Sequence, residues 1–322
     1  MINCTWVRRI ASVETVPWLT ICTALLCSAV TKGFLSAQET DLWVRYSTWG
    51  SPPPSSVWNG AIYVPITSAF LHSSWIHLIE DLIWFCPSAI FLETAISRRL
   101  WIGLFIMATY VSYSAGLAIH GLPCHGLSAV GFAFFGFIAG ANRRLGVVPR
   151  TLLIVFLVGI LWMVYSTCVD LTDFIWDGRI SLNSNVVHLA GLVLGVSVSV
   201  IRYVYPKGFV IIVLPIVLIV CLPIVWAPWQ RVWLETKAVN AYKAEKFDRA
   251  ENLYLKSLNA GADSEWVWAS LMYVYAAKKD ASQYSNALDH LRKINGKVAV
   301  QTDQILHGLI FTDTNLPSIS PN

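Results

Sequence analysis

The sequence predicts an all-α protein, a polytopic membrane helical bundle followed by a small soluble helical-hairpin domain, and three observations predict it. The composition is 56% hydrophobic and only 13% charged, with a mean hydropathy of +0.57, too apolar for an ordinary soluble chain. Seven apolar runs of helical length fall between residues 16 and 226. From Gln230 onward the pattern turns to charged residues interleaved with apolar ones at helical spacing. The net charge of +4 is small and the basic residues come in short pairs between apolar runs, so they report membrane topology and argue against nucleic acid as a partner.

Residues 1–15 carry Arg8 and Arg9 and read as a short N-terminal segment before a first helix at 16–30. That run is read as a retained span and not as a cleaved signal, because further apolar runs follow it. Residues 36–62 form a loop with Trp43, Trp49, Pro52, Pro53, Pro54 and Trp58, a density of aromatics that suits the membrane interface. The second helix is expected at 74–92, ending at Arg98 and Arg99, and the third at 100–118. The fourth runs from Leu127 to Arg143 and Arg144, the fifth over 151–168 toward Asp170, Asp173 and Asp177, and the sixth over 186–204 toward Arg202 and Lys207. These complete a membrane core at 16–207, to which 208–229 adds a seventh helix at 209–226 containing Pro215 and Pro223.

Basic residues mark one side of this bundle and acidic, His- and Cys-containing loops the other, which places the N-terminus in the cytoplasm of a multi-pass protein of the cell membrane. If the seventh helix spans, everything after it is extracytoplasmic. In the soluble part, 230–311, Ala238, Ala241, Tyr242, Phe247, Ala250, Tyr254 and Leu258 follow the small/large spacing of a tetratricopeptide unit. A looser second copy pairs Ala250 with Ala287, an offset of 37 residues. A plain helical hairpin is the alternative, and 312–322 reads as a flexible end. Stacked hairpins of this kind suit a protein partner.

Cys22, Cys27, Cys86 and Cys221 lie inside apolar runs and show no ligand spacing. Cys124 and Cys168 lie near helix ends on the same predicted side, where a disulfide is one alternative.

The chemistry concentrates at helix ends. Gly126-Leu127-Ser128 opens the fourth helix, and His188 opens the sixth. Both helices enter from the same side, so the hydroxyl and the imidazole share a depth, and Gly131, Gly136 and Gly140 on one helix with Ala190, Gly191 and Gly195 on the other would let the backbones approach. A serine becomes a nucleophile when a base takes its proton, and neutral imidazole is suited to that task. Capping and packing roles are the plainer readings of the same residues. His72, His77, Glu80 and Asp81 add polar groups around the second helix. Ionisable groups at that depth usually face a cavity. His77 and Asp81, four apart, share a helix face and either pair with each other or aim at the serine. A zinc site is a further alternative, weakened because a five-residue spacing would turn His72 and His77 apart on a helix.

The segments Ser68-Ala-Phe-Leu-His72-Ser-Ser-Trp-Ile-His77, Gly126-Leu-Ser128-Ala and His188-Leu-Ala-Gly191-Leu-Val-Leu-Gly195, in that order, resemble the rhomboid intramembrane serine proteases, over about residues 16–205. The resemblance implies a catalytic Ser128–His188 dyad cutting a membrane protein in or near a transmembrane segment, with no cofactor and no metal. It implies an oxyanion hole formed by the Ser128 amide, His77 and position 81, with Leu127 beside it. Three departures stand out. Asp81 replaces the usual Asn, and an ionised carboxylate accepts hydrogen bonds but cannot donate them to an oxyanion. Tyr63-Val64 stands where a Trp-Arg pair is common, and Ala129 and Ala190 stand where Gly is common. The rival reading is a catalytically silent relative that binds transmembrane segments and uses its tail as an adaptor. A transporter would need inverted repeats that are not visible.

Overall fold

The structure, a computed structural model, describes residues 16–121, 124–141, 144–145, 148–177, 183–261 and 264–310. Arg8, Arg9, Arg143, the segment 312–322 and the side chains of Asp170, Asp173 and Asp177 lie outside the described residues. The chain divides into two compact units, Met1–Val225 and Trp226–Asn322, and the described residues contain helices and no strands.

The first unit opens with α1 (Trp18–Ser36), whose start is held by an acid that sequence reading passed over. The Leu19 and Thr20 amides and the Thr20 hydroxyl donate to the buried Glu93 carboxylate at 2.8, 2.9 and 2.8 Å. Free N–H groups at a helix start favour an anion, and the pairing offsets the cost of burying its charge.

The aromatic loop is a chain of short helices: α2 (Leu42–Thr48), capped by Asp41, α3 (Pro54–Trp58), with proline in its first turn, and α4 (Val64–Ser68). Where the expected Trp-Arg anchor is missing, Val64 is fully buried, Trp58 Nε1 donates to the Pro223 carbonyl at 2.9 Å, and the Tyr110 hydroxyl donates to the Ile62 carbonyl at 2.9 Å.

Helix α5 (Trp75–Ala95) is capped by Ser74, and α6 (Arg98–His120) is capped by Ser97 and stops at Gly121, whose φ of +63° turns the chain. Then come α7 (Ser128–Ala141), α8 (Arg150–Asp177), α9 (Asn183–Val204) and α10 (Phe209–Val220). The continuous helix expected over 209–226 does not form: α10 ends at Val220 and a 3₁₀ turn, Leu222–Ile224, follows. Pro223 has no N–H to continue the ladder. The expected fifth helix is longer than its apolar run, reaching Asp177.

Four described helices are long and apolar enough to cross a membrane, Trp18–Ser36, Trp75–Ala95, Arg98–His120 and Asn185–Val204. Helix α7 is shorter and sits at the centre, with every residue from Ala129 to Ile138 buried. Its approach to α9 is set by glycines: a Cβ on Gly191 would lie 2.3 Å from the Ala129 carbonyl oxygen, and one on Gly195 1.9 Å from that of Ala133. Gly136 and Gly140 face α9 as expected, but Gly131 does not. A Cβ there would meet the α5 backbone at Phe85 and Trp84, at an ordinary 3.5 Å, because Gly131 lies on another side of the helix. Helix α8 turns Leu153, Ile154, Leu157, Val158 and Leu161 outward, as a bilayer-facing helix does.

The second unit has five described helices, α11 (Arg231–Lys243), α12 (Phe247–Asn259), α13 (Glu265–Lys278), α14 (Ala281–Ile294) and α15 (Gly296–Ile310). The α11–α12 and α13–α14 pairs start 34 residues apart at both helices, Arg231 to Glu265 and Phe247 to Ala281. In this register the partner of Ala250 is Tyr284 and not Ala287, which is likewise a small buried residue three positions on.

Candidate active site

Ser128 is the first residue of α7 and His188 lies in the second turn of α9. The close helix contact at Gly191 puts their side chains together, with Ser128 Oγ 2.8 Å from His188 Nε2. The imidazole is held flat against Phe132, ring centres 4.8 Å apart and 22° from parallel. Phe132, four residues after Ser128 on the same helix face, is a site residue that sequence reading missed; its spacing was the available signal. His188 Nδ1 has no protein partner among the described residues.

Before α7 the chain turns through Gly126 at a φ of +102°, its N–H donating to the Ser68 carbonyl at 3.1 Å. Any Cβ at Gly126 would lie 2.5 Å from Asp81 Oδ2 and 3.0 Å from His77 Nε2, so this position needs glycine for conformation and for room. The turn aims two successive amides inward. Leu127 N–H and Ser128 N–H both donate to Asp81 Oδ2, at 2.6 and 3.0 Å. The Ser128 amide, expected to face an oxyanion, is thus occupied by the carboxylate. Leu127 contributes its own N–H, while its side chain is fully buried.

His77 and Asp81 share a face of α5, yet they do not simply satisfy each other: His77 Nε2 stands 3.7 Å from Asp81 Oδ2, beyond hydrogen-bond range. Ser73 Oγ is 3.3 Å from His77 Nδ1, and the tautomer in which Ser73 donates leaves the Nε2 proton facing Asp81. His72 is closer, its Nε2 3.1 Å from Asp81 Oδ2 and its side chain fully buried. The expectation that His72 and His77 point apart fails because His72 precedes the helix, which begins at Trp75; the two rings are 5.1 Å apart. Among the described residues, no three His, Cys, Asp or Glu side chains are grouped to hold a metal ion. Cys124 and Cys168 are thiols and no disulfide joins them.

A cleft of about 300 Å³ opens on this centre, lined by Ser128, His188, Glu80, Trp84, His125 and Trp162 among others. Helices α5 and α8 supply the two tryptophans. Above it, Tyr46 of α2 packs on His125, ring centres 5.3 Å apart, and His125 packs on His77 at 5.6 Å.

Helices this apolar, with a polar centre among them, define a polytopic membrane protein. Residues 59–205, just under half of the chain, match the family model described as the Rhomboid domain, which supports a rhomboid-family protein. That family generally comprises hydrolases acting on transmembrane substrates in the bilayer. A comparison with curated proteins found no match.

Proposed function

We propose that this protein is an intramembrane serine endopeptidase that cuts membrane proteins in or near a transmembrane segment. The observation that carries the reading is the 2.8 Å contact of Ser128 Oγ with His188 Nε2 at the start of a buried helix. In the first step the Oγ–H proton passes to His188 Nε2 while Oγ bonds to the substrate carbonyl carbon. The carbonyl oxygen becomes an oxyanion near the helix N-terminus, where backbone N–H groups stabilise negative charge. His188 then gives its proton to the departing amine, and water repeats the sequence on the acyl-enzyme. A substrate helix enters beside Trp84 and Trp162, between α5 and the outward-facing α8, and must unwind there to present its peptide bond.

The α10 segment supports an extracytoplasmic exit for the chain. It leaves the Arg202 end of the bundle, where that guanidinium lies over Phe209, and reaches the opposite side, where Ser114 donates to the Val220 carbonyl at 2.8 Å and Trp58 to Pro223. The N-terminus is then cytoplasmic and the site opens outward. The 34-residue hairpin repeat supports a tetratricopeptide-like tail that binds a protein partner.

The test is cleavage of a single-pass membrane substrate by the native chain and by Ser128→Ala, reconstituted in liposomes. Native cleavage that vanishes in Ser128→Ala supports the reading. The second reading, a non-cleaving binder of transmembrane segments, is favoured by one observation, the Asp81 carboxylate on the Ser128 amide. Capture of such segments without cleavage by any form would establish it instead.

A further inference from the structure

We propose that the free protein fills its own oxyanion hole with Asp81 Oδ2, and that His72 is the positioning residue that keeps it there. The proposal rests on the protease reading and deepens it. The hole opens to a substrate carbonyl when the Asp81 carboxylate leaves it.

The geometry is that of an anion already bound. A single carboxylate oxygen is reached by the Leu127 amide at 2.6 Å, the Ser128 amide at 3.0 Å and His72 Nε2 at 3.1 Å, with His77 Nε2 at 3.7 Å. The two amides belong to the start of the helix that carries the nucleophile, which is where an acyl-transfer oxyanion must sit. A substrate carbonyl oxygen approaching Ser128 meets a negatively charged oxygen on the same donors. Asp81 is 3% exposed, so water competes little for it.

His72 has the placement of a dedicated holder. It is fully buried, it lies outside α5, and Asp81 is its hydrogen-bonded side-chain partner. The groups that interact with Asp81 from the surrounding elements include Cys27 of α1, His77 of α5, His125 of the turn before α7 and His188 of α9. An Asn in its place would carry no charge and would supply an N–H donor that a carboxylate lacks.

The experiment uses a fluorophosphonate, which needs no knowledge of the substrate. Ser128 Oγ bonds to phosphorus, fluoride leaves, and His188 takes the serine proton. Labelling rates of the full-length protein in liposomes are measured at neutral pH for the native protein, Asp81→Asn, His72→Gln, the double variant and Ser128→Ala. Asp81→Asn is expected to label faster by about 10²-fold, the worth of one oxyanion donor. His72→Gln is expected to speed labelling of the protein that keeps Asp81 and to have no effect in the Asp81→Asn background, because His72 acts through the carboxylate.

A structural role for His72 would instead slow labelling equally in both backgrounds, and that result overturns its assignment. Equal rates for the native protein and Asp81→Asn overturn the self-filled hole. If no form labels above Ser128→Ala, the serine mechanism itself fails and this inference falls with it.

Discussion

In the proposed protease the contact between α7 and α9 would set the Ser128–His188 pair, and Gly191→Ala tests this directly. The new Cβ would stand 2.3 Å from the Ala129 carbonyl oxygen and 3.2 Å from its carbon, so reaching an ordinary 3.4 Å contact needs about 1 Å of separation. The obstacle is backbone, which cannot swing aside as a flexible side chain would. Ser128 and His188 lie one residue before Ala129 and three before Gly191, so the same separation stretches their 2.8 Å contact to about 3.8 Å, beyond a hydrogen bond. A misplacement of about 1 Å between reacting groups costs about 10²-fold in rate. Gly131→Ala is the internal control, because its Cβ meets Phe85 at 3.5 Å. The assay is the cleavage rate in liposomes, with thermal unfolding in detergent to confirm that each variant folds. Gly191→Ala should lose about 10²-fold in kcat, and Gly131→Ala should stay within about threefold. If Gly191→Ala retains native kcat, or if Gly131→Ala suffers the greater loss, the argument that this helix contact sets the dyad is wrong.

Glu93→Ala removes three hydrogen bonds to the start of α1 and should destabilise the membrane unit by on the order of 3 kcal/mol, read from denaturant unfolding in detergent. In the tail, burial raises the Glu235 carboxyl above its usual range, against the lowering effect of the Ser257 hydrogen bond and of Arg231. An acid whose folded value is raised gives a fold that is relatively more stable at low pH and loses that advantage as pH rises through the folded value. Glu235→Gln should therefore slow hydrogen exchange along Arg231–Lys243 at neutral pH, with the gain shrinking toward pH about 4. A single cysteine introduced at exposed Leu255, with the native cysteines replaced by alanine, should react with an impermeant maleimide from outside intact cells; protection until lysis would put the tail in the cytoplasm.

The helices and the meeting of Ser128 with His188 were legible because both follow from local pattern: apolar runs, charge pairs at their ends, and glycines at four-residue spacing. What stayed hidden depended on where chain segments lie once folded. Nothing in the spacing of His72 and His77 tells whether the first lies on the helix, and it does not. Asp81 could be read as the wrong residue for an oxyanion hole, but its acceptance of the Leu127 and Ser128 amides arises only from the turn at Gly126. Glu93 and the Leu19 and Thr20 amides are more than 70 residues apart, a distance no periodicity bridges. Gly131 misled because three glycines on one helix invite a single face, whereas Gly131 and Gly136 are five residues apart and point different ways.

The burial of α7 from Ala129 to Ile138 separates, on the protease reading, the position of the reactive groups from the state of the lipid. At 14 residues the helix is about 21 Å long, against a hydrocarbon slab of about 30 Å, and that stretch meets protein. Hydrophobic mismatch therefore has little grip on it; thickening or thinning the bilayer acts on the outward-facing helices, α8 and α10 among them. Lipid composition should then tune how readily a substrate helix is admitted while leaving the alignment of serine and histidine alone, so that chain length in the surrounding lipids becomes a dial on KM with kcat held nearly constant.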